Sequence, residues 1–105
     1  MSDDELLKLA AKAAGLELMH NWSHGYYLIV ESETWNPLED DGDALRLAVK
    51  LHMNIETTGL YAHACGFYKS SFETFCIQEP TGSDPYAALR RAIVRAAAEI
   101  GKEMK

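Results

Sequence analysis

Three groups of residues in this chain have the types and spacing for chemistry. The first is His63, Cys65 and Cys76. His63 and Cys65 are two apart, so on a strand they share one face. With Cys76 on a neighbouring strand, the three would make a soft-metal donor set. The zinc-deaminase pattern, with its nearby glutamate and Cys-x-x-Cys, is missing. A Cys65 nucleophile served by His63 is disfavoured, because neighbours along one strand converge poorly for proton transfer. The surrounding text is apolar, and free cysteine is among the most buried residue types, so a buried, reduced pair is the expectation. A disulfide needs Cα atoms within ~7 Å, which spacing alone does not establish.

The second group is the run Glu39-Asp40-Asp41-Gly42-Asp43. Its carboxylates are hard oxygen donors of the kind that hold Mg²⁺ or Ca²⁺, but the EF-hand spacing and its closing glutamate are absent. An acidic run entering an amphipathic segment is a helix start, with Asp40 or Asp41 as the cap. His20 and His24 are four apart, as zinc ligands on a helix would be. The Asn21, Ser23 and Gly25 around them argue for a turn, so no metal is expected there.

The third group is basic. Arg90, Arg91, Arg95 and Lys102 lie in one segment, and Arg91, Arg95 and Lys102 share an exposed helical face. Either the face is solvated and paired with acids such as Glu99, or it meets phosphates or an acidic partner. These three residues are the candidate interaction surface. The stretch 65–72 has a faint likeness to the RNA-recognition octamer at Gly66, Phe67 and Phe72. It lacks the basic first residue, and turn and core packing account for it. Glycine-rich phosphate loops, nucleophile elbows and paired-carboxylate motifs are absent. No catalytic residue and no cofactor is expected.

The elements that must position these groups follow from periodicity. Ser2-Asp3-Asp4-Glu5 is a capping box that opens a helix with the stripe Leu6, Leu7, Ala10, Ala13 and Ala14, ending at Gly15. Residues 16–20 and 26–30 read as a hairpin, followed by a loop over 31–38. A second helix buries Ala44, Leu47, Ala48 and Leu51. Residues 55–65 read as strand with a bulge at Gly59, and 72–78 as another strand. Asp84-Pro85 caps a last helix with the stripe Leu89, Ala92, Ile93, Ala96, Ile100 and Met104. The order α-β-β-α-β-β-α predicts a single α+β domain over residues 1–105. Its four-stranded, mainly antiparallel sheet packs against helices.

Two blocks, 33–51 and 84–101, together with Asp4-Glu5-Leu6-Leu7, resemble the signature segments of the phage ABA sandwich family of small phage and prophage proteins. They span about half of the chain, and the strands between them match only in pattern. The resemblance implies helices flanking a sheet and a bacterial host cytoplasm. It implies no activity and supplies no catalytic residues. Trp35 and Pro37, inside the first block, are expected to clamp their loop onto the core.

Composition sets the remaining bounds. The chain has 105 residues, a net charge of -6, 48% apolar residues and 25% charged ones. That excludes a disordered tail, a multidomain enzyme and a protein held to nucleic acid by net charge alone. Residues 1–45 hold ten acids and two bases, for -8, whereas residues 46–105 hold eight bases and six acids, for +2. No basic-then-apolar leader and no membrane-length apolar run occurs, so a soluble cytoplasmic protein is expected. The expected role is a non-enzymatic module that binds a protein partner. Nucleic-acid binding through the last helix is the alternative, no membrane partner is expected, and the oligomeric state is open.

Overall fold

A computed structural model of the chain describes residues 2–21, 26–29 and 34–104. Three helices, α1 (Asp3–Ala14), α2 (Asp41–Lys50) and α3 (Pro85–Glu103), alternate with two runs of strands. The first run is β1 (Leu18–Asn21), β2 (Tyr26–Ile29) and β3 (Thr34–Trp35). The second is β4 (Asn54–Thr57), β5 (Tyr61–Phe67) and β6 (Thr74–Pro80). Each run forms its own antiparallel sheet, in the orders β1-β2-β3 and β4-β5-β6. The class is α+β, as the sequence predicts, but the single four-stranded sheet is corrected to two sheets of three.

Two local features explain the difference. Residues 54–67 do not form one bulged strand. The Thr58 hydroxyl accepts from the backbone N–H of Leu60 (3.2 Å) and Tyr61 (3.0 Å), so the chain reverses there. In addition, Thr34 and Trp35, in the expected loop, pair with Leu28 and Tyr27.

Each helix start is set by a side chain. Ser2 accepts from the Glu5 N–H, Asp40 from Asp43 and Asp84 from Ala87, satisfying donors that the helices leave open. Within the capping box the Ser2 hydroxyl donates to the Glu5 carboxylate at 3.2 Å. Gly15 ends α1 at φ +72°, the left-handed conformation that glycine adopts without penalty.

The core lies between the helices and one face of the β4-β5-β6 sheet. It joins Leu6, Leu7 and the alanines of α1 to Leu47 and Leu51, to Ala64, and to Ile93, Val94 and Ile100 of α3. Trp35 and Pro37 are buried, so the loop clamp is present. The small alanine side chains of α3 let it lie close against the sheet, but its most intimate contact is with α1. The two helices run parallel: Arg91 meets Asp3, and the Lys12 ammonium donates to the Met104 carbonyl at 2.8 Å. Between them, Gly101 lets the α3 backbone touch that of α1 at Leu9. The alternation on β5 is regular: Ala62, Ala64 and Gly66 point inward, while His63, Cys65 and Phe67 occupy the other, partly exposed face.

Candidate functional site

The basic face is assembled as the helical period requires, yet two of its charges, Arg91 and Arg95, are answered from other elements. Glu79, near the end of β6, lies 3.0 Å from the Arg95 guanidinium and 3.5 Å from that of Arg91. Arg91 also reaches Asp3 at 3.1 Å, and Lys102 lies 3.8 Å from Glu99. Three cations therefore meet three carboxylates. A hollow of about 330 Å³, lined by Leu6, Ile77, Glu79, Arg91, Arg95 and Glu99, opens beside them. The mostly buried Arg90 belongs to a different structure. It donates to Asp41 at 2.6 Å and to the Leu38 carbonyl at 2.9 Å, tying α3 to the start of α2.

The acidic run holds the fold together. Asp40 is the cap, Asp41 binds Arg90, and Asp43 accepts from the Asn36 N–H (3.0 Å) and from Arg46 (2.7 Å). Among the described residues, no group of three or more His, Cys, Asp or Glu could hold a metal ion in this structure. His20 pairs with Tyr27 in the β1–β2 ladder, and His24 lies outside the described residues.

His63, Cys65 and Cys76 do come together. Cys65 and Cys76 are direct cross-strand partners, with Cα atoms 4.0 Å apart, and their sulfurs are bonded. The expectation of a buried, reduced pair is corrected on both counts. The ladder register puts both side chains on the sheet face away from the helices, where Cys76 is exposed and Cys65 half-buried. His63, two residues before Cys65, stands on the same face, edge-on to the Tyr61 ring. Glu56 is its direct partner on β4.

The stretch with the RNA-recognition likeness is a strand end and its turn. Gly66 packs beside Ile100 and Phe75, Tyr68 stacks on Phe75 at 4.8 Å, and Phe67 on Phe72 at 6.0 Å. Phe72 is not in the strand: it sits in the turn at φ +60° and is 74% exposed. The Tyr68 hydroxyl has its pKa raised, first by loss of solvent and then by the Glu99 carboxylate, to which it donates at 3.4 Å.

A further feature lies between α2, α3 and β4. Leu45 and Tyr86 are 54% and 70% exposed, and with Ala44, Ile55, Leu89 and Ile93 they line an apolar groove of about 240 Å³. Asp41 and Arg90 complete its lining. The groove runs beside β4, which is an edge strand of its sheet. The Thr58 N–H donates to the Tyr61 carbonyl at 2.8 Å. Ladder alternation then turns the backbone groups of Asn54 and Glu56 towards β5 and those of Ile55 and Thr57 outward. The groove's signal in the sequence is Leu45, a large apolar residue on the side of α2 away from the buried stripe.

No family model matches the chain, no curated protein matches its sequence, and no solved structure matches its fold.

Proposed function

We propose that this chain is a small, non-enzymatic accessory protein of phage or prophage type that binds another protein. The partner adds an extended segment to the outer edge of β4. The observation that carries this reading is the coincidence of an open strand edge with an apolar groove. A strand laid along Ile55 and Thr57 hydrogen-bonds to their outward groups and sends alternate side chains into the groove. Charge selects the rest of the segment. Glu39 before α2 and Glu56 on β4 are exposed carboxylates, so basic residues flanking apolar anchors complete the match. The phage assignment belongs to the same proposal. It rests on the segments 33–51 and 84–101, and the α+β architecture with helices against an antiparallel sheet supports it.

The test is selection from a displayed library of random linear peptides, followed by affinities for the recovered sequences. Enrichment of alternating apolar residues with basic flanks is expected. Tyr86→Asp should weaken binding through the groove, and Thr57→Pro through the edge, since that proline removes a donor the β4–β5 ladder does not use. Recovered peptides that bind both variants as tightly as the parent would show that the partner docks elsewhere. Nucleic-acid binding through Arg91, Arg95 and Lys102 has less support, because each cation lies within 3.8 Å of a carboxylate.

A further inference from the structure

The open face of the β4-β5-β6 sheet holds a donor set that the disulfide conceals. Cys65 and Cys76 face each other across the ladder with Cα atoms 4.0 Å apart. His63 stands two residues along β5, ~7 Å away on the same face, and Glu56 is opposite His63. Glu56, His63 and Cys65, with Asn54 and Ile55, line a surface hollow of about 360 Å³, and Cys76 adjoins it through its bond to Cys65. No helix covers this face among the described residues, so an ion can enter from solvent.

We propose that the reduced chain binds one zinc ion here, through the thiolates of Cys65 and Cys76 and the imidazole of His63. Glu56 or a water completes the tetrahedron. Zinc takes sulfur at ~2.3 Å and nitrogen at ~2.0–2.1 Å, so an ion centred over the cysteine pair is within reach of an imidazole two residues along the strand. Two thiolates neutralise the divalent charge, and a soft sulfur pair with one imidazole selects zinc over magnesium or calcium. Disulfide and zinc are mutually exclusive, because both use the same two sulfurs.

The chemistry balances with a dithiol as reductant. The dithiol gives two electrons and two protons to the Cys65–Cys76 bond and closes to its own disulfide, leaving two thiols. Zinc then displaces both thiol protons to solvent. Where thiols are kept reduced the chain carries the metal, and where they are oxidised it carries the disulfide. The inference does not depend on the docking groove, which lies on the opposite, helix-facing side of β4.

The experiment uses the full chain, reduced anaerobically and freed of reductant, with cobalt(II) as a spectroscopic probe and zinc as competitor. One cobalt per chain is expected, with a thiolate-to-cobalt charge-transfer band that zinc abolishes, and no such band for the oxidised chain. His63→Ala should weaken binding by more than the ~10–100-fold that losing a ligand's hydrogen-bond partner costs. Its thiol count should be unchanged. If reduction unfolds the chain, zinc should restore its near-ultraviolet dichroism, and His63→Ala should impair that recovery. Absence of the cobalt band in a folded reduced chain overturns the proposal. So does failure of zinc to refold an unfolded one, or unaltered affinity in His63→Ala.

Discussion

Replacing Gly101 with alanine should destabilise the protein even though alanine is the better helix former. A methyl group built on Gly101 falls on the carbonyl oxygen of Leu9 and 2.9 Å from its carbonyl carbon. The neighbour is backbone inside α1, so no side-chain rotation relieves the overlap. Helix propensity alone favours alanine by ~0.8–1.0 kcal/mol. Overpacking costs ~1–3 kcal/mol, and a rigid neighbour places this site at the top of that range. The net loss is about 2 kcal/mol, which lowers the melting temperature of a domain near this size by roughly 8–16 °C. Urea unfolding followed by far-ultraviolet circular dichroism reads the difference directly. Gly59→Ala is the control, because a methyl there meets nothing within 4 Å. It should change stability by no more than ~0.5 kcal/mol. A Gly101→Ala protein as stable as the parent would refute the close α1–α3 approach on which the core is built.

Asp43→Ala should cost about 1–3 kcal/mol, since it strands the part-buried Asn36 N–H and removes a partner of Arg46, whereas Asp43→Asn, which keeps an acceptor, should cost less. Amide exchange at Asn36 reports the released loop. Loss of solvent and then the carboxylates of Glu99, Glu103 and Glu73 raise the Tyr68 pKa, so the folded chain holds this proton more tightly than the unfolded chain does. Stability from this group is complete below the unfolded value of ~10 and declines as pH rises towards the raised one. Tyrosinate absorbance should show a late-titrating component that Tyr68→Phe removes.

What was legible in the sequence was local. Ser2, Asp40 and Asp84 each cap a helix through a hydrogen bond spanning three residues, so residue type and position suffice to find them. The buried stripes of α1 and α2 follow from period alone. The missed features depend on residues distant in the chain, or on one side chain overriding a run. Thr57-Thr58-Gly59 reads as continuous strand because threonine favours strands, yet the Thr58 hydroxyl turns the chain. The basic face follows from helical spacing, but its partners Asp3 and Glu79 come from α1 and β6, which no helical spacing reveals. Apolar neighbours point to buried cysteines, although only the β5–β6 register decides which face they occupy.

The parallel pairing of α1 with α3 also constrains the order in which the molecule can be built. α1 leaves the ribosome before the other described elements, and α3, the helix it packs against, follows all of them. Until then Leu6, Leu7 and the small residues of α1 have no partner surface, and a 12-residue helix alone is marginal in water. The β5–β6 hairpin, with its short turn, can form while synthesis continues, but the core closes only when α3 docks between hairpin and α1. Between the synthesis of α1 and that of α3 the nascent chain therefore exposes an amphipathic segment, the kind of surface through which incomplete chains aggregate.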